Sequence, residues 1–146
     1  MKHNPSSFIS FSPPFIGKEE IDEVIDSLRS DWITTGPKVK RFESEFCSFT
    51  GASSSLAVSS ATDAMLVGLA TLGIGPGDEV ITTPMTFCST VHVIEHLGAK
   101  PVLVDVESDT LNINPEAVLG AITSRTRAIM PVHLYGHPCD MDALLD

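Results

Sequence analysis

The chain has 146 residues, of which 42% are hydrophobic, so it carries enough apolar material for a packed core and is not globally disordered. Nine basic against nineteen acidic residues leave a formal net charge of −10 at pH 7. This balance argues against nucleic acid and against anionic membrane surfaces as partners, because both attract positive charge. The sequence has neither an apolar signal segment at its N-terminus nor a run of about 20 apolar residues, so we expect a cytoplasmic protein without a membrane span.

The three cysteines, Cys47, Cys88 and Cys139, are far apart and form no C-x-x-C pair. This spacing predicts unpaired thiols and gives no sign of a zinc ribbon, a redox motif or a disulfide framework.

Two helices are predicted in the first third of the chain, after an extended N-terminal arm over residues 1–16 that is rich in Ser, Pro and Phe. Apolar residues recur at helical spacing from Lys18 to Ser30, residues 31–37 break the period, and a second stripe ends at Gly51. The two predicted apolar stripes comprise Ile21, Val24, Ile25 and Leu28, and Val39, Phe42, Phe46 and Phe49.

Strands and helices then alternate. Strands are predicted over 55–59, 79–83, 101–106 and 128–134, and the helix over 62–72 is apolar nearly all round, which predicts deep packing. Such alternation indicates β-α-β crossovers, and therefore an α/β fold in three layers, with a largely parallel sheet and helices on both faces. No strand follows the last helical turns, so we expect the sheet to be incomplete at the C-terminus.

The first candidate site is the turn Ser60, Ala61 and Thr62, where a predicted strand passes into a helix. Small side chains there leave free backbone amides at the positive end of a helix dipole, which suits a phosphate. Ordinary N-capping by serine is the alternative and needs no ligand. The glycine fingerprints of dinucleotide and P-loop sites are absent from the sequence.

The second candidate is Phe87, which follows the second predicted strand. Its ring could stack on a planar heterocycle at the mouth of a site. Alternatively, Phe87 belongs to the same buried helical stripe as Val91 and Ile94.

The third candidate is a metal-binding motif, because His92, Glu95 and His96 fit the H-x-x-E-H pattern of inverted zinc peptidases. A catalytic zinc needs a third protein ligand, and chance pairing of surface histidines is the favoured interpretation. A zinc hydrolase nevertheless remains an alternative function.

Two further residues, His133 and Asp105, are predicted at strand ends. His133 could orient a ring or be structural, and Asp105 could be a ligand, a cap or a turn former.

Taken in order, these segments resemble the DegT/DnrJ/EryC1/StrS family of sugar aminotransferases, which are fold-type I enzymes dependent on pyridoxal phosphate. Each segment is modest alone, whereas the ordered set is specific. The matching segments are 32–37, 42–43, 60–64, 75–81, 86–87, 98–102, 105–106, 111–113, 132–136 and 140–141.

The resemblance implies that residues 17–146 are the N-terminal portion of a cofactor-binding large domain. It further implies that the turn at Ala61 and Thr62, next to the candidate Ser60, supplies amides to the cofactor phosphate and that Phe87 stacks on the pyridine ring. A nucleotide-linked keto-sugar as amino acceptor, glutamate as the common donor, a role in polysaccharide biosynthesis and a homodimer are implied as well. By the same resemblance, the histidines of the H-x-x-E-H pattern are plain helix residues and there is no metal site.

The family's Schiff-base lysine and the acidic partner of the pyridine nitrogen lie on later strands, so we assign no catalytic residue in this chain. Lys100 is predicted at the amino end of a strand, opposite the expected site. We therefore expect the chain alone to be inactive and to expose apolar surface. Some relatives replace the lysine by histidine and dehydrate sugars, so a dehydratase is an alternative to an aminotransferase. A noncatalytic Rossmann-like ligand-binding domain is a further alternative.

Overall fold

The computed structural model describes residues 12–146, so most of the predicted arm over 1–16 lies outside the described residues. The chain divides into two compact units, one ending at Ala57 and the other covering Val58–Asp146. The three cysteines are free thiols, of which Cys139 is buried, Cys47 is half-buried and Cys88 is exposed. In the part of the chain that the structure describes, no helix is both long enough and apolar enough to cross a bilayer.

The first unit contains the two predicted helices, α1 (Lys18–Arg29) and α2 (Pro37–Thr50). The helix α2 begins with a proline, whose missing amide costs nothing in the first turn. It ends at Gly51, whose φ of 76° is the left-handed conformation that glycine adopts without a steric cost. Both helix predictions are therefore confirmed.

Ion pairs join α1 to α2. The Lys38 ammonium lies 2.7 Å from Glu23 Oε2 and 2.7 Å from Asp26 Oδ2, and the Arg41 guanidinium lies 3.0 Å from Glu23 Oε1. The acidic partners and Arg41 are exposed and Lys38 is half-buried, so solvent screens these pairs and they stabilise little. Neither helix has a buried residue, so no member of the two predicted apolar stripes is fully buried within this unit.

The second unit is built around a parallel three-stranded sheet with the strand order β2-β1-β3. Its regular elements are α3 (Ala61–Thr71), β1 (Glu79–Thr82), α4 (Ser89–His96), β2 (Lys100–Leu103), α5 (Pro115–Ala121), β3 (Thr126–Ile129), a 3₁₀ turn (Leu134–Gly136) and α6 (Met141–Leu145).

Neighbouring residues of β1 define the three layers, because successive side chains of a strand point to opposite faces. Val80 packs with Leu69 of α3 and Ile94 of α4 on one face. Ile81 packs with Val118 of α5 on the other, where α6 also contributes. Both core clusters include fully buried side chains. The predicted α/β class, with helices on both faces of a parallel sheet, is confirmed.

Three local predictions are wrong. Residues 55–59 form no strand and pair with none among the described residues, and a segment becomes a strand only through ladder hydrogen bonds. The strands predicted over 101–106 and 128–134 are shorter because the chain leaves the sheet after Leu103 and Ile129. Deep packing of the helix after Thr62 is also wrong, since only Leu69 of α3 is buried.

Candidate functional site

The N-terminus of α3 and the loop after β1 lie at the same edge of the sheet. The helix α4 joins two parallel strands, so it runs antiparallel to β1 and begins at the carboxyl end of that strand. The helix α3 packs beside α4 and its C-terminus leads through residues 72–78 to the amino end of β1. Its N-terminus therefore lies toward the carboxyl end of β1, where ligands bind in open parallel sheets.

Ser60 caps α3. Its hydroxyl oxygen accepts a hydrogen bond from the Asp63 amide (3.1 Å), and the hydroxyl donates to Asp63 Oδ2 (3.0 Å). The hydroxyl of Ser59 donates to the same carboxylate oxygen. Hydrogen bonds from Ser59 and then Ser60 lower the pKa of the Asp63 carboxyl below its ordinary value. Serine capping is thus present, and it occupies the Ser60 side chain.

The capping leaves two amides of the first turn free. Among residues 12–146, the Ala61 and Thr62 amides have no hydrogen-bond acceptor. Ala61 is exposed and Thr62 is half-buried, so solvent reaches this turn and the Ala61 side chain is only a methyl group. Two unpartnered amides at a helix N-terminus fit a phosphate group, because they offer hydrogen bonds together with the positive end of the dipole.

Phe87 precedes α4 and is 75% exposed. Its carbonyl oxygen accepts a hydrogen bond from the Thr90 amide (3.1 Å), which begins the first turn. The buried residues of α4 are Thr90, Val93 and Ile94. Exposure of Phe87 rules out the alternative in which its ring belongs to the buried stripe. The ring is free to contact a ligand at this edge.

The H-x-x-E-H residues lie on the surface of α4. His92, Glu95 and His96 are exposed and line one open depression. Within residues 12–146, no group of three or more His, Cys, Asp or Glu side chains is placed to hold a metal ion. The structure therefore gives the zinc-hydrolase alternative no ligand set.

Three further candidates have structural partners. His133 Nδ1 accepts a hydrogen bond from the Cys139 amide (3.0 Å), and Asp105 Oδ1 accepts one from the Val106 amide (2.8 Å), as in a turn. The Lys100 ammonium lies 3.2 Å from a carboxylate oxygen of Glu79 at the amino end of the sheet. Its predicted position opposite the candidate site is confirmed.

Sequence reasoning gave no role to Asn112, which the structure places at the centre of a hydrogen-bond network. Asn112 is 2% exposed and binds the backbone at Leu134, His137 and Pro138. A polar residue beside the apolar Ile113 is the only local signal, since its partners lie more than twenty residues away in sequence.

The parallel sheet, its covered faces and the helix N-terminus at its carboxyl edge define an α/β protein with its candidate site where ligands bind in open parallel sheets. Comparison with known proteins identifies the group more narrowly. Residues 14–146 match the sequence model of the DegT/DnrJ/EryC1/StrS aminotransferase family, and the chain belongs to this family.

Individual relatives agree with this assignment. The spore coat polysaccharide biosynthesis protein SpsC of Bacillus subtilis (strain 168) is 51% identical over 145 residues, which are 99% of this chain and 37% of SpsC. The putative sugar aminotransferase Spr1654 from Streptococcus pneumoniae, in its PLP-form, superposes with a TM-score of 0.88 at 46% identity. The match covers 94% of this chain and 35% of the Spr1654 chain.

NtdA from Bacillus subtilis, solved with bound cofactor PMP, superposes with a TM-score of 0.83 at 33% identity, over 97% of this chain and 35% of its own. The chain thus spans little more than a third of the length of the relatives that it matches.

Proposed function

We propose that residues 17–146 form the N-terminal, phosphate-holding part of the cofactor-binding domain of a pyridoxal-phosphate-dependent sugar aminotransferase. The observation that carries the proposal is that the amides of Ala61 and Thr62, which have no acceptor among residues 12–146, share one edge of the sheet with the exposed ring of Phe87. Family membership and the PLP-form and PMP-bound relatives support this choice of cofactor.

Each residue of the site has a separate part in holding the cofactor. Pyridoxal phosphate, when bound, supplies the electron sink that amino-group transfer requires. The Ala61 and Thr62 amides would donate hydrogen bonds to its phosphate. Ser60 would act by fixing the start of α3, because its hydroxyl already donates to Asp63. Phe87 would stack on the pyridine ring.

The proposed reaction transfers an amino group, commonly from glutamate, to a nucleotide-linked keto-sugar for polysaccharide biosynthesis in the cytoplasm, and the proposed active form is a homodimer. The description of SpsC as a polysaccharide biosynthesis protein supports this substrate class. We place the Schiff-base lysine and the acidic partner of the pyridine nitrogen outside these 146 residues, because among residues 12–146 the one lysine in a strand, Lys100, belongs to the opposite edge.

Replacing Ala61 by proline tests the phosphate contact directly. Proline removes the amide donor, yet the first helical position tolerates it, and both α2 and α5 begin with proline. In protein expressed from the complete coding sequence, we expect Ala61→Pro to weaken binding of pyridoxal phosphate about tenfold, as loss of a hydrogen bond to a charged group predicts. Titration calorimetry measures the dissociation constant.

Two controls isolate the amide. Ala61→Gly keeps the amide and should bind pyridoxal phosphate as the unmodified protein does. Pyridoxal, which lacks the phosphate, should bind Ala61→Pro and the unmodified protein equally. Equal affinity of both variants for pyridoxal phosphate would remove the phosphate contact from the proposal.

An activity assay tests the reaction class. With glutamate and a nucleotide-linked keto-sugar, the complete protein should form 2-oxoglutarate and the amino-sugar in equal amounts. Loss of water from the sugar without consumption of glutamate would indicate a dehydratase instead. Binding of the cofactor with neither product would favour the noncatalytic alternative.

A further inference from the structure

Asn112 uses both amide hydrogens and its carbonyl oxygen on one backbone segment. Its Nδ2 donates to the carbonyl oxygens of His137 and Pro138, both at 3.0 Å, and its Oδ1 accepts from the Leu134 amide at 3.0 Å. These three bonds satisfy a side chain that is 2% exposed. They bind the segment 133–139 near both of its ends.

The segment 133–139 contains a backbone conformation that is unfavourable without stabilising contacts. Tyr135 has a φ of 53° and is 87% exposed, so a bulky residue adopts the left-handed region without burying its ring. Such a conformation costs free energy and persists only when the surroundings determine it. The Asn112 bonds, together with the bond from the Cys139 amide to His133, provide that determination.

The segment 133–139 begins at the same edge of the sheet as the proposed cofactor site. The Met130 amide, directly after β3, donates to the Ile81 carbonyl oxygen (2.8 Å), and the Thr82 hydroxyl donates to the Met130 carbonyl oxygen (2.8 Å). The carboxyl ends of β1 and β3 are thus tied together. His133 follows Met130 by three residues, and Phe87 follows Thr82 by five.

Asn112 is itself held in a tight turn between β2 and α5. Its amide donates to the Thr110 hydroxyl oxygen (3.2 Å), and its carbonyl oxygen accepts from the Glu107 amide (2.9 Å). The next residue, Ile113, is 1% exposed and pairs with Val106 in an antiparallel bridge. Contacts within its own turn therefore fix Asn112 in place.

We propose that Asn112 is a positioning residue, which holds the segment 133–139 in place at the carboxyl edge and so pre-forms the side of the active site that follows β3. This inference rests on the proposed aminotransferase function. Asn112 itself contacts backbone only, so its effect on the reaction passes through the segment.

Asn112→Ala tests the inference, and Asn114→Ala is its matched control. Asn114 lies two residues further on and caps α5 by accepting a hydrogen bond from the Ala117 amide (3.1 Å), with no bond to the segment 133–139 among the described residues. Both variants remove a structural asparagine of the same turn. They differ in whether the segment loses its anchor.

The experiment measures two quantities in protein expressed from the complete coding sequence. Hydrogen exchange over 133–139 should accelerate about tenfold or more in Asn112→Ala, because lost hydrogen bonds of this kind lower the local opening free energy. At a temperature where both variants are folded, kcat/KM for amino transfer should fall about tenfold below that of Asn114→Ala. Should Asn112→Ala fail to fold, Asn112→Asp keeps the size and removes both donors, and the same results are expected.

Each other outcome overturns a defined statement. Unchanged exchange over 133–139 would show that Asn112 does not hold the segment. Faster exchange with kcat/KM equal to that of Asn114→Ala would leave Asn112 a purely structural residue. If the unmodified protein binds no pyridoxal phosphate and transfers no amino group, the proposed function fails and the positioning role in that reaction with it, whereas the exchange result still decides whether the anchor exists.

Discussion

The two compact units have similar apolar patterns, but the apolar side chains are largely exposed in the first unit and many are buried in the second. In the first unit, Ile21 and Leu28 of α1 are 50% and 67% exposed, although they lie on a regular helical stripe. In the second unit, Ile81 and Ile94 are fully buried between sheet and helices. The difference teaches that periodicity determines where a helix forms, whereas burial depends on a partner surface that local sequence does not specify.

The largest effect should come from the same truncation made in both units. Ile81→Ala removes a fully buried side chain and should lower the free energy of unfolding by about 3 kcal/mol. Ile21→Ala removes a half-exposed one and should cost under about 1 kcal/mol. Urea unfolding followed by circular dichroism measures both losses.

Equal losses for the two isoleucine variants would break the comparison between the units. They would mean that the α1 stripe is covered in the intact protein, for example in the proposed homodimer. A concentration-dependent loss in Ile21→Ala alone would assign that cover to a second copy of the chain.

The second contrast concerns two carboxylates. Glu79 is 2% exposed, and its pKa is lowered from 4.5 to about 2, first by the Thr123 hydroxyl and then by Arg125 and Lys100. A lowered pKa stabilises the fold at pH values above 4.5, and this contribution is lost as the pH falls toward 2. We expect Glu79→Gln to lower Tm by roughly 10 °C at pH 7 and to flatten the acid dependence of Tm between these limits.

Glu23→Gln in the first unit is the control for Glu79→Gln. Lys38 and Arg41 also lower the pKa of Glu23, but Glu23 and Arg41 are more than half exposed and Lys38 is 33% exposed, so solvent screens the pairing. The Tm of Glu23→Gln should differ from that of the unmodified protein by no more than about 2 °C. Thermal scans at pH 7, 4, 3 and 2.5 measure both variants, and a Glu23→Gln loss as large as that of Glu79→Gln would contradict the ranking.

Local rules predicted much of this molecule. The stripes of α1 and α2, the serine cap at Ser60 that was one of two alternatives, and the alternation of strands and helices each depend on a few consecutive residues. The turn at Ala61 and Thr62 could be singled out for the same reason. Its amides are free because a helix N-terminus always leaves some, whatever packs elsewhere.

Features that join distant residues could not be predicted in this way. Asn112 binds a segment 22 to 26 residues further along, and Glu79 binds residues 21 to 46 positions away. The failed strand at 55–59 belongs to the same class, because an extended segment needs a ladder partner. Exposure of Phe87 was undecided for a related reason, since its helical spacing to Val91 and Ile94 suited either alternative.

The smallest predicted effect separates two glycines, one in each unit. A Cβ at Gly36 would lie 2.3 Å from Trp32 Nε1, whose N–H donates to the Thr35 carbonyl oxygen (2.9 Å). Gly36→Ala should therefore displace the indole and destabilise by about 1–2 kcal/mol. Because Trp32 is the single tryptophan of the chain, its fluorescence emission should shift to longer wavelength as the indole leaves this contact.

Gly68 provides the opposite case inside α3, because an added Cβ there meets no atom within 4 Å among the described residues. Gly68→Ala should raise the free energy of unfolding by about 0.5–1 kcal/mol, since alanine loses less backbone entropy in a helix. Thermal unfolding measures this gain, and Trp32 emission should stay unchanged. A destabilised Gly68→Ala would mean that another surface packs closely on α3 in the intact protein, and that a partner covers the part of α3 that is exposed in the second unit.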